Sequence, residues 1–330
     1  MKIRLAAGPT SLSSVANAVQ GTLAGPDITV SYICTDSREA DADTLFLALP
    51  GEHVDGHEYI HAALEQGCRA ACVTHPVKES LAQIIVPSVS TALMTMGARA
   101  RGSFSGQVVA VTGSVGKTTT KDYIAGALNA LGPTQKTVAN HNSLLGLPMS
   151  LLSQDADRAF HVVEMGMNHA GEIAAMTKAA RPHVAVITNV GTSHIGILGS
   201  RRAIADAKLE IIGGMTQDDV LVINGDEPLL AGAGGFPGRI VRVSVADRGA
   251  DVFVSAVLAT ADGTKVSVWI AGQPFAEVRV PNFGVPALWA VGYAAAVSFL
   301  FGGDAVSLQS GLQTVGGESM RQNVTQTDGV

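Results

Sequence analysis

The sequence predicts an α/β protein: a small mixed α/β N-terminal domain, then a larger phosphate-loop domain with a mostly parallel sheet plus a small antiparallel sheet. Three observations carry this. From Gln107 onward, continuous apolar runs alternate with helical patterns, the order expected when helices cover both faces of a parallel sheet. A glycine turn bearing a lysine stands between the first of these runs and a helix. Only 15% of the 330 residues are charged and 47% are apolar, so much of the chain is expected inside packed elements.

Residues 1–88 read as the small mixed unit. The stretch ITVSYICTDSR has strand composition, TLFLALPG is an apolar run closed by Pro-Gly, and HEYIHAALEQGCRAACV places an amphipathic helix before another strand. A Gly/Ser-rich connector, ending in GSFSG, leads into the second domain, expected over 89–315. There QVVAVTGSVGKTTTKDYIAGALNALG reads as strand, glycine turn and helix, and FHVVEMG, HVAVITNVG and VLVING follow as strands between helical segments. RIVRVSV, DVFVSAVLA, TKVSVWIAG and AEVRVP predict an antiparallel group. The segment from Val280 to Gly303 carries no charge. Its Ala and Gly content, Pro286 near its start and the lack of flanking basic clusters favour a buried helix over a membrane span. Residues 316–330 hold little apolar material and read as a linker.

With 22 Lys+Arg against 28 Asp+Glu, the net charge of -6 gives no footprint for duplex nucleic acid, so the expected partners are small. Cys34, Cys68 and Cys72 cannot all pair and form no CxxC, which points to reduced thiols and a cytoplasmic protein. The N-terminus is a poor signal peptide, no stable membrane insertion is expected, and a monomer is expected. His53, His57 and His61, followed by Cys68, Cys72 and His75, have a tempting zinc spacing. Gly56 interrupts the helix that would gather them, so no zinc site is expected.

The strongest motif runs Thr112-Gly113-Ser114-Val115-Gly116-Lys117-Thr118-Thr119. Its glycines let backbone N–H groups wrap a phosphate, the following helix adds the partial positive charge of its N-terminus, and Lys117 adds a full one. The hydroxyl of Thr118 would hold Mg²⁺. Val111 stands where the strict Walker pattern wants glycine, but the strand-turn-helix context supports the same reading. A dinucleotide-binding turn is disfavoured, because the GxGxxG spacing is absent. The loop alone allows a kinase, a GTPase or a ligase.

The remaining motifs resemble the Mur ligase family. They are TDSREADADTLFLALPGEHVDGHEYI, VTGSVGKTTTK, NHNSLLGLPMSLL, EMGMNHAGEI, HIGILGSRRAIADAKLEI and INGDEPLL, in that order. Folylpolyglutamate synthase shares the phosphate loop, but the N-terminal block points to the muramyl branch; within that branch the ordered motifs together resemble the members that add D-alanyl-D-alanine to UDP-N-acetylmuramoyl-tripeptide. The resemblance implies ATP and Mg²⁺: ATP phosphorylates the tripeptide carboxylate and the dipeptide amine displaces phosphate from the acyl phosphate. It also implies Glu164, at a strand tip, and His194, in the loop GTSHIG, as metal ligands. Lys208 matches the lysine that becomes a carbamate, which turns a cation into an anion able to meet Mg²⁺. Lys117, Lys208 and His194 are thus the implied catalytic set. Asn140, His141 and Asn142 would position substrate, and Asp36, Ser37 and Arg38 would lie near its UDP part.

Three departures qualify the resemblance. Phe283 and Ala287 stand where the family carries a His and an Asn near adenine, Gly317-Glu318 stands where a Gly-Arg pair is expected with only Arg321 nearby, and the family's third domain is expected beyond Val330. Two expectations follow: a ligase whose chain is incomplete, or a degenerate, non-catalytic nucleotide or UDP-precursor binder.

Overall fold

The computed structural model describes residues 1–51, 54–260, 263–281 and 284–315. His53, Phe283, Gly317, Glu318 and Arg321 lie outside the described residues. The chain forms two compact units: Met1–Ser105 with Val138–Ala156, and Gly106–Thr137 with the chain from Asp157 onward.

The first unit holds a six-stranded sheet. Tyr32–Cys34, Thr44–Leu47, Ala70–Val73 and Ala82–Ile85 run parallel through its centre. Lys2–Arg4 and Thr22–Ala24 close its edges antiparallel. Ile33, Leu45, Leu47 and Ile84 are fully buried and pack with Leu12, Val89 and Leu93 of the two helices Leu12–Val19 and Val89–Ser103. The latter helix, assigned from sequence to the second domain, belongs to this core. So does Gly146–Leu152, whose Met149 and Leu152 join the same cluster. Gly97 allows that crossing, since a Cβ there would stand 2.7 Å from Pro148 Cβ.

Cys34, Cys68 and Cys72 are buried free thiols, and burial pushes Cys72 up to about 12. His57 contacts Asp55 Oδ1 through Nδ1 at 2.6 Å and accepts the Thr74 N–H at Nε2 at 3.0 Å, while stacking on His75. Both ring nitrogens therefore fasten a loop to the end of a strand.

The second unit is built on a nine-stranded sheet. Thr134–Lys136, Phe160–Glu164, Gln107–Thr112, Val184–Ile187, Val220–Asn224, Arg239–Ser244 and Val252–Thr260 pair parallel in that spatial order. Gly263–Ile270 and Gln273–Val280 extend it antiparallel. Two details differ from the sequence expectation. Arg239–Ser244, grouped there with the antiparallel strands, pairs parallel on Val220–Asn224, and the antiparallel strands continue the main sheet. Pairing partners are set by long-range docking, which a strand's own composition does not encode.

The uncharged segment forms the helix Val285–Leu300 on one face of this sheet. A Cβ at Gly292 would stand 2.6 Å from Val243 Cγ1 and 2.8 Å from Val254 Cγ2, so glycine sets the helix down close on two strands. Among the described residues no helix is long and apolar enough to cross a membrane. Lys117–Asn129 packs beside this helix and against Ala305–Gln313, with Gly126 and Gly311 at the closest approach. A Cβ at Gly311 would collide with Gly126 O and stand 2.7 Å from Ala127 Cα. Neither backbone can yield cheaply. Gly311→Ala is expected to cost about 2 kcal/mol net, overpacking of up to roughly 3 kcal/mol outweighing about 1 kcal/mol of helix propensity. Urea unfolding checks this; a variant as stable as the parent would mean that the helices separate freely.

Candidate functional site

Gln107–Thr112 is the first strand of the second unit, yet it lies inside the sheet, between Phe160–Glu164 and Val184–Ile187. Strand order therefore reverses here, and in open α/β sheets ligands bind at the carboxyl ends of strands at such a point. Three motif segments leave these carboxyl ends. They are the glycine turn after Thr112, Glu164 at the tip of its own strand, and the loop from Thr188 to His194.

The turn wraps because Gly113 and Gly116 take φ of +153° and +79°. A side chain at Gly113 would collide with Thr188 Oγ1. The helix Lys117–Asn129 begins directly after Gly116. The first N–H groups of a helix lack intrahelical partners, so those of Lys117, Thr118 and Thr119 open an anion site with the helix dipole behind it. Lys117 reaches back over the turn, its Nζ donating to Gly113 O at 2.9 Å and Ser114 O at 3.4 Å. That position puts a cation beside the backbone that would cradle phosphate.

Glu164 is buried, with 1% of its surface exposed, and the Thr137 hydroxyl accepts its backbone N–H at 3.1 Å. Its Oε2 stands 3.6 Å from Lys121 Nζ. Lys121 is equally buried and donates to Thr137 O at 3.0 Å, while Asp122 beside it receives Lys136 Nζ at 2.7 Å. Two carboxylates and two ammonium groups thus share one region, which lowers the cost of burying charge. Sequence reading missed Lys121 and Asp122. The available signal was the i, i+4 spacing from Lys117, which sets Lys121 on the same helix face.

Lys208 lies in the helix Arg201–Leu209, capped by Ser200, whose hydroxyl accepts the Ala203 N–H at 3.1 Å. It is 2% exposed. Burial, and then the charge of Lys117, pull its amine down to about 7 from the ordinary 10.5. A surface lysine would be fully charged at neutral pH, whereas burial here favours the neutral amine, the form that reacts with electrophiles.

His194 is exposed at φ +65°, opening the short helix Ile195–Leu198. Among the described residues no group of three His, Cys, Asp or Glu side chains could hold a metal ion. Glu164 and His194 are therefore not part of a cluster of three such side chains. The donors present, the Thr118 hydroxyl and the Glu164 carboxylate, are hard oxygens of the kind that hold Mg²⁺ together with substrate phosphates.

The other expected site residues belong to the first unit. Asp36 caps the turn Ser37–Glu39, accepting Arg38 N–H at 3.1 Å, and its carboxylate takes Arg38 Nε at 2.9 Å and Nη2 at 2.6 Å. These bonds hold the Asp36 carboxyl far below the usual carboxylate range. Asn140, His141 and Asn142 form a tight turn, Asn142 N–H donating to Asn140 O at 2.7 Å, and Gly146 lets the following helix pass against the His141 backbone. Ala287 is fully buried in the first turn of its helix.

Comparison with known proteins accords with this arrangement. The Mur ligase middle domain matches residues 111–295, and the Mur ligase family catalytic domain matches 29–101. The chain belongs to the Mur ligase family. Its relatives include UDP-N-acetylmuramoyl-tripeptide--D-alanyl-D-alanine ligases of Bacillus subtilis, 41% identical over 68% of this chain, and of Synechocystis, 43% identical over 62%. The chain spans about half the length of these Mur ligases, 50% and 46%. Among solved structures, MurF from Acinetobacter baumannii superposes with a TM-score of 0.90 at 31% identity, covering 99% of this chain and 72% of that one. MurF from Thermotoga maritima in complex with ADP gives 0.76 at 29%, covering 84% and 65%.

Proposed function

We propose that the chain is the substrate-binding and nucleotide-binding part of an ATP-dependent amide ligase that joins D-alanyl-D-alanine to UDP-N-acetylmuramoyl-tripeptide in the cytoplasm. The observation that carries this reading is the conjunction, in one unit, of the glycine turn with Lys117 and a Lys208 that is 2% exposed, its amine held well below the ordinary lysine range by burial and by the charge of Lys117. A kinase or GTPase has no use for the second group. In a ligase the neutral amine would add to CO₂ and release a proton, and the resulting carbamate would supply an anion able to hold Mg²⁺.

Lys117 and the N–H groups of Gly116–Thr119 hold the β- and γ-phosphates. Thr118 and Glu164 would hold Mg²⁺, with His194 and a carbamylated Lys208 as further candidate ligands. Mg²⁺ there neutralises charge so that a carboxylate can approach the γ-phosphate. In the first unit Asp36, Ser37 and Arg38 meet the UDP part, and Asn140, His141 and Asn142 orient the peptide.

The test is phosphate release from ATP with UDP-N-acetylmuramoyl-tripeptide, with and without D-alanyl-D-alanine, against Lys117→Ala. Release that requires the tripeptide and rises with the dipeptide is expected. Release at the Lys117→Ala level, with ADP still bound, would leave a non-catalytic nucleotide binder.

A further inference from the structure

The tip of the phosphate loop is held from outside the loop. Val115, at its tip, is 62% exposed, so packing holds it little. What fixes the tip is the segment after the neighbouring strand. Asn189 accepts the Val115 N–H on Oδ1 at 3.0 Å and donates from Nδ2 to Val115 O at 3.0 Å. Its own carbonyl accepts the Ser114 N–H at 3.2 Å. The Thr188 hydroxyl donates to Val115 O at 2.8 Å, and Gly191 N–H donates to Ser114 Oγ at 2.9 Å. Behind this clasp the Thr188 carbonyl is held by Tyr293 OH at 2.7 Å and Asn224 Nδ2 at 3.3 Å, both donors buried.

We infer that Asn189 is the positioning residue of the phosphate loop, its side-chain amide clamping both polar groups of Val115 so that the donors from Gly116 onward face the phosphates. The inference rests on the phosphate-loop reading above. One donor and one acceptor are needed on a planar group, and among side chains of this length only asparagine offers both at neutral pH. The clasp takes the N–H groups of Ser114 and Val115 out of phosphate binding and fixes the peptide planes that precede the helix. An unclamped loop must be ordered when the nucleotide binds, at the expense of affinity.

The test titrates ADP into the 330-residue chain, as parent, Asn189→Asp, Asn189→Leu, Thr188→Val and Lys117→Ala. At pH near 8 the carboxylate introduced by Asn189→Asp has no donor for Val115 O, so Asn189→Asp and Asn189→Leu are each expected to bind ADP roughly tenfold more weakly, the worth of one to two hydrogen bonds. As pH falls, the protonated acid regains one donor and one acceptor. Asn189→Asp alone then recovers towards the parent measured at the same pH, a response that mere loss of folding would not give. If the Asn189 variants fail to fold, Thr188→Val carries the comparison, with a loss of roughly threefold expected for one bond. ADP affinity within roughly twofold of the parent in every folded Asn189 and Thr188 variant overturns the inference, being below the worth of one bond. If Lys117→Ala also binds like the parent, it is the phosphate-loop reading that has failed.

Discussion

Replacing Lys208 by Met is expected to stabilise the protein, most strongly in mildly acidic solution. The amine is 2% exposed and its folded-state pKa lies at about 7, below the 10.5 of the unfolded chain. Between these two values the unfolded chain binds a proton that the folded chain does not, so stability of the parent rises with pH across that window. Below about 7 the full cost of charging a buried amine is present. Met keeps the length and removes the charge, so its gain is largest below the folded pKa and fades as pH climbs towards the unfolded one. The gain is on the order of 5 kcal/mol at most. Denaturant unfolding at several pH values in CO₂-free buffer measures it. A gain independent of pH would show that the amine is not buried as described. The same variant loses the carbamate carbon signal that ¹³C-bicarbonate is expected to produce on the parent.

Lys117→Ala is expected to weaken ADP binding about ten- to hundredfold, the worth of a charge-assisted hydrogen bond to phosphate. Stability should change little, because Lys117 is only half-buried and its Nζ donates to two loop carbonyls, Gly113 O and Ser114 O. One further effect distinguishes this change from general damage. The Lys117 charge contributes to the depression of the Lys208 amine, so its removal lets the Lys208 pKa rise. The stability window assigned to Lys208 should then narrow from its lower end. Titration calorimetry reads the affinity and pH-dependent unfolding reads the shift; unchanged values of both would remove Lys117 from the site.

Much of the site was legible because it is local. A strand, a glycine turn, a lysine and a helix are consecutive in the chain, and each is specified by its own residues. Glu164 could be placed for the same reason, since a carboxylate closing an apolar strand marks a carboxyl-terminal tip. Residues whose roles depend on what packs against them were not legible. Lys121 and Asp122 look like the solvated face of a helix, yet each is under 5% exposed. Asn189 reads as a turn former after a strand, and its clasp on Val115 spans 74 positions of sequence. The return of Val138–Ala156 to the first unit left no compositional mark.

The α/β class, the phosphate loop and the order of the motifs were readable before any folding was known, because all three follow from short-range patterns of apolar, glycine and charged residues. Other properties emerged only from packing: Arg239–Ser244 joins the parallel sheet, Lys208 is buried within reach of a second cation's charge, and Asn189 clamps the loop. Burial and hydrogen-bond partnership belong to pairs of distant segments, and a residue's pKa or positioning role exists only once those segments have met.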